Sequence, residues 1–593
     1  MLKKLVSIPP TFLTGDARRL TPLAYLFLVM LCVAFFSPGL VTMPPTDRDE
    51  SLFAQASKQM IETGNYTDIR VQDTPRYKKP IGIYWLQSMV VRAINPDHLN
   101  QIWAYRLPSM LGATLAVLMT AALGCLLFTP EIGLLGAVML ASCVLLNAEA
   151  RLATTDASLL GCVMVAMYGL ARARLEQKAS WGVTLAFWTA VAAGILLKGP
   201  IILLPLASAL LWLRVTEKNI GWFRTLRPVP GILWTILLAA PWFVAIMMQS
   251  HGAFMAQSAG HDMMAKIWEG QNRGKIPPGA HLLALPIAFF PFSLFAVMAA
   301  PEAWRNRQDA AVRFCIGWIV PTWIIFELSL TKLLHYVLPV YPAIALLSAK
   351  FLLDWLGARK AAKIPLILVV GVWLMVGVGY AAFFAFLPDV SDGVFLWPQA
   401  TVGVALVLAQ GIALLLLPYD KIASTVALTI GFLVFITVSF DATLPGLHHL
   451  WISREIVQNA DDAASCGPTQ IVSSAYHEPS LVFMAGTQML LPSSAAEAAT
   501  ALKDDPCRIA VIGVLQKQDF LDGFKGSDIQ PVEMSEISGL NVGHGGHTQL
   551  VIYGTAHNPG PADVPAGDVP AMDAPSADAP TSAAPAPAPD TKP

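Results

Sequence analysis

Residues 45–50 read Pro-Thr-Asp-Arg-Asp-Glu, so the carboxylates of Asp47, Asp49 and Glu50 stand directly after an apolar run that ends near Val41. A carboxylate at such a boundary has two uses. It can take the proton of a hydroxyl nucleophile or orient a metal ion. It can also simply cap the helix that follows, whose apolar positions Phe53, Ala56, Met60 and Ile61 recur at helical spacing before Gly64-Asn65 ends it. A second polar cluster comes next: Pro75-Arg76-Tyr77-Lys78-Lys79-Pro80, then Tyr84-Trp85. Its cations suit a phosphate carried on a lipid, and its aromatics suit headgroup depth. The same residues also suit ordinary anchoring to anionic lipid, and spacing does not separate the two readings.

The elements that must position these groups are membrane helices. The chain has 593 residues, 55% hydrophobic and 13% charged, against roughly 25% charged for a soluble protein. Apolar runs at 21–41, 104–128, 132–147, 157–171, 181–198, 200–213, 229–248, 282–300, 312–330, 336–353, 364–387, 398–418 and 422–440 predict a polytopic α-helical protein of about 13 spans. The junction at Gly199-Pro200 reads either as a kink in one helix or as a tight turn between two. The run from Thr21 reads as a retained span, not a cleaved leader.

Lys3, Lys4, Arg18 and Arg19 precede the first run, and basic residues recur in every second loop: Arg172, Arg174 and Lys178; Arg214, Lys218, Arg224 and Arg227; Arg305, Arg307 and Arg313; Arg359, Lys360 and Lys363. The positive-inside rule makes these loops and the N-terminus cytoplasmic. The polar segments 42–103, 249–281 and 441–593 then face outward. Large outer segments and no internal repeat favour surface chemistry over transport.

The organisation expected is a membrane domain over 1–440, a small outer α/β domain over 441–556 and a disordered Pro/Ala-rich tail over 557–593. In the α/β domain, 470–474, 480–484, 508–514 and 548–553 read as strands and 494–503 as a helix. Cys466 and Cys507 each precede a strand and suit a disulfide in an oxidising compartment; two free thiols are the alternative. Other charged groups have plain readings: Arg106 and Arg151 snorkel or act, Asp156 caps a helix, Lys198 anchors at an interface, and His335 packs in the core or meets a ligand. The Gly/Pro pattern at 270–279 suits either a loop that closes over substrate or a plain turn.

Taken in order, Asp49-Glu50, Tyr77-Lys78-Lys79-Pro80, Tyr105-Arg106-Leu107-Pro108, Arg151 to Asp156, Lys198-Gly199-Pro200, Pro241-Trp242-Phe243, Gly270 to Gly279 and Lys332 to Pro339 resemble the ArnT-like, protein-mannosyltransferase-related membrane glycosyltransferases of the GT-C class. The resemblance runs over residues 20–350. It implies a GT-C-like fold with periplasmic interfacial helices, in a bacterial inner membrane. It implies inverting transfer of a sugar from a polyprenyl-phosphate donor to lipid A or another envelope glycan. It gives Asp49 the catalytic role and sets Lys79 and Tyr336 at the donor phosphate.

Arg76 is a further phosphate candidate, and Glu50, Lys78, Tyr84, Arg273, Lys275 and His335 are candidates for the substrate site. Lys78 is a departure, because aminoarabinose transferases often carry Glu there; the sugar and any divalent metal site using that Glu stay open. No other cofactor is implied. The partners implied are the lipid-linked donor, a lipid or glycan acceptor and membrane lipids, with no nucleic acid. A periplasm without nucleotide sugars needs its donor on a lipid, and the departing phosphate needs preplaced cations. A single displacement needs no second carboxylate nucleophile. A protein O-mannosyltransferase-like enzyme and a flippase of lipid-linked sugar are the alternatives.

Overall fold

The structure, a computed structural model, describes residues 19–258, 276–354, 366–463, 466, 470–541, 543 and 545–556. The expected roles of Arg273 and Lys275, the basic residues at 3–18 and 359–363, the 270–275 part of the Gly/Pro pattern and the tail from 557 lie outside the described residues.

Long apolar helices dominate, and several start at side-chain caps that satisfy their first N–H groups. Thr21 caps Pro22–Phe36, Ser180 caps Trp181–Lys198, Asp309 caps Ala310–Leu328 and Asp420 caps Lys421–Val438. Among the described residues nine helical stretches are long and apolar enough to cross a membrane, or ten if the pair Pro130–Ala141 and Val144–Ala150, bent by 63°, counts as one span. The chain is a multi-pass membrane protein.

Thirteen is not reached by that count, for reasons visible in the helices. The first run forms only a 15-residue helix, Pro22–Phe36. The run at 282–300 is broken between Ala280–Ala288 and Ser293–Arg305. The 37-residue stretch Trp181–Glu217 counts once by composition, but its ion pairs show two passes. Asp156 and Arg174 mark opposite ends of one helix, Asp156–Glu176. Lys198 pairs with Asp156, and Glu217 pairs with Arg174. The chain therefore runs along Trp181–Lys198, turns at Gly199–Ile202 and returns along Leu203–Glu217. Gly199, at φ +72°, makes the turn.

These pairs also define two ends of the helical body. One carries Arg174, Glu217 and Arg313, the last 3.3 Å from Glu217. The other carries Asp156, Lys198 and the segment 42–102. In that segment the Asp49–Thr63 and Gly82–Ile94 helices flank a short hairpin of β1, Arg70–Val71, and β2, Thr74–Pro75.

The sheet domain follows the last apolar helix. Strands β3, Ile471–Ser473, β4, Ile509–Gly513, β5, Pro531–Asn541, and β6, Gly546–Thr555, form one sheet in the order β3-β4-β6-β5. Only the β3–β4 pair is parallel. The Ile452–Ala463 helix packs on one side of the sheet and the Ala495–Asp504 helix on the other. The segment 480–484 is not the expected strand; it lies in a helix, Pro479–Ala485, whose N-terminal Pro suits a first turn. A disulfide joins Cys466 and Cys507, whose Cα atoms are 5.6 Å apart.

Candidate active site

Asp49 and Glu50 open the same helix and meet opposite fates. Neither Asp47 nor Asp49 caps it. The N-cap is Arg48, which lacks a side-chain capping bond and sits at φ 66°, a region that L side chains rarely adopt. Gly64, at φ 71°, closes the helix by donating its N–H to the Met60 carbonyl.

Glu50 points inward and is saturated. Its carboxylate accepts from Arg106 Nε at 2.8 Å and Nη2 at 3.1 Å, from Thr46 N at 2.8 Å and Oγ1 at 2.9 Å, and from Ala153 N at 3.0 Å. Burial opposes its charge, but the Arg106 guanidinium and these bonds hold its pKa below the usual carboxylate value. Arg106 spends its remaining donors on the carbonyls of Leu40, Met43 and Pro44. Both side chains are 1% exposed. Glu50 is therefore a structural anchor here, not a group presented to substrate.

Asp49 points outward, with 72% of its side chain exposed. Arg76 Nη2 donates to its Oδ1 at 3.3 Å. Arg76, a phosphate candidate by sequence, is buried instead. It lies 4.5 Å from the Phe53 ring centre and donates to the Tyr84 hydroxyl at 2.7 Å. Tyr84 is fully buried behind it. Arg76, held by Tyr84, thus meets the Asp49 carboxylate from the core side, where apolar neighbours of the Asp49–Thr63 helix surround Tyr84.

The residues that follow Arg76 turn toward a cavity of about 670 Å³. Lys78, Lys79, Asp156, Lys198, His335 and Tyr336, with Ser258 and Ser329, supply its polar lining. Ile201, Leu204, Phe243, Phe254, Phe326 and Leu328 supply apolar wall. Arg76 and Lys79 are three positions apart, so their Cα atoms lie within about 11 Å. Gly82 lets the Gly82–Ile94 helix sit against the end of Trp181–Lys198, because a Cβ there would meet the Leu196 carbonyl carbon at 2.7 Å. That contact brings Lys198 to the rim beside Lys79.

Sequence reasoning missed the use of two groups. Asp156, read as a cap, and Lys198, read as an anchor, form an ion pair of 2.5 Å inside the cavity wall. His335 Nδ1 lies 3.3 Å from Glu149 and its Nε2 lies 3.9 Å from Asp156. Lys198 Nζ sits 5.6 Å from the centre of the Tyr336 ring. The signal available in the sequence was a lone carboxylate and a lone lysine, each at the end of an apolar run. Among the described residues no group of three or more His, Cys, Asp or Glu could hold a metal ion. The cavity can take an anion at its cationic rim and an apolar chain along its walls.

Several known proteins are similar to this chain. Residues 78–244 match the dolichyl-phosphate-mannose-protein mannosyltransferase family. The undecaprenyl phosphate-alpha-4-amino-4-deoxy-L-arabinose arabinosyl transferase of Pectobacterium carotovorum is 24% identical over 345 residues, 56% of this chain and 58% of that protein. A counterpart from Pseudomonas fluorescens is 26% identical over 320 residues, 53% of this chain and 56% of that protein. The chain thus aligns with little more than half the length of these relatives. The crystal structure of ArnT from Cupriavidus metallidurans bound to undecaprenyl phosphate superposes with a TM-score of 0.68 at 18% identity, covering 90% of this chain and 98% of ArnT. The chain has the ArnT fold. An ArnT-like fold therefore carries the cavity.

Proposed function

We propose that this protein transfers a sugar, 4-amino-4-deoxy-L-arabinose by analogy with its relatives, from a polyprenyl phosphate to lipid A or another envelope glycan. The observation that carries the reading is the cavity: Lys78, Lys79 and Lys198 in its lining, apolar walls behind, and the exposed Asp49 carboxylate held 3.3 Å from Arg76, three positions before Lys79. The polyprenyl chain lies along the apolar walls and its phosphate meets the lysines and Tyr336. Asp49 accepts the proton of the acceptor hydroxyl as the oxygen attacks the anomeric carbon. The bond from that carbon to the phosphate oxygen breaks, the anomeric centre inverts, and polyprenyl phosphate leaves with its charge met by the lysines.

The topology completes the reading. If Pro22–Phe36, the bent pair Pro130–Ala150, the broken pair Ala280–Arg305 and both passes of Trp181–Glu217 each cross the bilayer, the passes number thirteen. The end carrying Arg172, Arg174, Arg214, Arg227, Arg305 and Arg313 then faces the cytoplasm. Asp49, the cavity mouth and the sheet domain face the periplasm of a bacterial inner membrane.

The test is transfer in membranes from undecaprenyl-phosphate-linked 4-amino-4-deoxy-L-arabinose to lipid A, followed by mass spectrometry. Asp49→Asn is expected to insert normally and to lose about a thousand-fold in rate. Transfer at the wild-type rate in that variant would reject the base assignment. The match of residues 78–244 to protein mannosyltransferases favours a second reading, a peptide hydroxyl as acceptor. Lipid A left unchanged in a deletion strain that has lost protein-linked sugar would select it. Movement of the intact donor without any transfer would instead make the protein a flippase.

A further inference from the structure

The sheet domain grips the Asp49–Thr63 helix along its whole length. Near the helix start, Ser480 Oγ donates to Asp47 Oδ1. Phe483, fully buried, packs with Ala54, Val91, Ile102, Tyr105 and Ala153, its ring 5.4 Å from that of Tyr105. Lys58 Nζ donates to the Phe483 carbonyl at 3.1 Å. Toward the helix end, Thr487 meets Gln55 at 2.8 Å and Glu62 at 2.7 Å. Gln72, in the β1–β2 turn, donates to the Met489 carbonyl at 2.8 Å.

One contact of this grip falls beside a residue of unfavourable backbone conformation. Asp47 and Asp49 flank Arg48, the residue at φ 66°. Such a conformation persists only where surroundings over-determine it. Thr46, on one side, is tied to Glu50. Asp47 is tied to Ser480, which is buried. Ser453 Oγ lies 2.6 Å from Ser480 Oγ, and the buried Tyr476 hydroxyl lies 3.4 Å from Ser453. The sheet domain thus supplies a hydrogen-bonded contact two residues from Asp49.

We infer that Ser480 and Asp47 are positioning residues: through them the C-terminal domain holds the first turn of the helix so that the Asp49 carboxylate faces the acceptor. The inference rests on the reading of Asp49 as the base. Neither residue touches the reacting atoms. Loss of their bond releases Arg48 and lets the first turn relax, while the lysines and walls of the donor cavity stay as they are.

The test uses the full chain in lipid nanodiscs, with undecaprenyl-phosphate-linked 4-amino-4-deoxy-L-arabinose as donor and lipid A as acceptor. Ser480→Ala and Asp47→Ala are each expected to lower kcat about ten-fold or more, the scale of one hydrogen bond to a charged group. Donor KM is expected to stay within about two-fold, since a bond that orients only the base leaves donor binding alone. The double variant is expected to lose no more than either single one, because both remove one interaction. Ser480→Thr keeps the hydroxyl and is expected to recover most of the rate.

Asp49→Asn is run beside them. If it is inactive while Ser480→Ala turns over at the wild-type rate, the positioning role is overturned and the base assignment stands. If Asp49→Asn is fully active, the base assignment falls and the positioning role with it. A Ser480→Ala loss confined to donor KM, or one not recovered by Thr, also overturns the inference.

Discussion

Two groups of buried charge sit near the same end of this molecule and differ in one respect. Around Glu50, every described acceptor and donor is used: Arg106, Thr46 and Ala153 close on the carboxylate, and backbone carbonyls take the rest of Arg106. Around Asp156 and Lys198, with side chains 11% and 12% exposed, the charges line an open volume beside Lys78, Lys79 and His335. A closed network has no valence left for a ligand, so it fixes the chain. An open one exposes its cations to whatever enters. The adjacent residues Asp49 and Glu50 show that neither residue type nor position in the sequence separates these roles; the helix geometry does.

Breaking the closed network should produce the largest effect, and it should be on folding. Arg106→Met leaves the Glu50 carboxylate buried without its counter-charge, which is expected to cost about 3–5 kcal/mol. The check is thermal denaturation and detergent-resistant yield, with transfer per folded molecule little changed. Loss of transfer at normal stability would show that the closed network also acts in the chemistry.

Changing the open network should leave folding alone. Lys79→Met is expected to raise the donor KM and lower kcat/KM by about a hundred-fold, near the upper part of the range for removing one charged contact to a phosphate. Melting temperature is expected to stay within a few degrees. Steady-state kinetics over a range of donor concentrations checks this, and an unchanged kcat/KM would remove Lys79 from the phosphate site.

The smallest effect tests a charge that belongs to neither group. Lys58 is 2% exposed, with Glu62 at 3.9 Å and the Phe483 carbonyl as its neighbours. Burial lowers its pKa from 10.5 to about 8, against a partial offset from Glu62. Between these two values the unfolded chain binds more protons here than the folded one, so this lysine's contribution to stability rises with pH across that window and is flat below it. Subtracting the pH dependence of Lys58→Met from that of the wild type should isolate the rise. Hydrogen exchange across 480–489 between pH 7.5 and 10 provides the measurement, after correction for the intrinsic exchange rate. A flat difference would show that Lys58 titrates as an exposed lysine does.

Local features were legible in the sequence because their causes are local. The helix over Asp49–Thr63 follows from its apolar spacing and ends at Gly64 as such a pattern requires. Strands β3, β4 and β6 follow from β-branched runs. The long spans follow from apolar length. The remaining features depend on partners far away in the chain. Arg76 meets Asp49 rather than a cavity only because Phe53 and Tyr84 enclose it. Asp156 and Lys198 lie 42 positions apart and look like helix ends until two helices bring them together. Strand β5 alternates too weakly to be read, with a bulge between Glu533 and Ser535. The segment 480–484 has strand-like composition, but Pro479 and docking on the Asp49–Thr63 helix make it a helix.

The grip of the sheet domain also orders events in time. Asp47 and Ser480 are 433 positions apart, so the Asp49 turn is made long before its last support arrives. Contacts of such separation form slowly, since loop closure precedes any gain from them. The helical bundle can be inserted and packed while the Asp49 turn remains unfinished. Completion of the turn then depends on a segment made long after it, and a chain cut between the last apolar helix, Lys421–Val438, and Ser480 keeps every residue that lines the donor cavity but never completes the turn beside it.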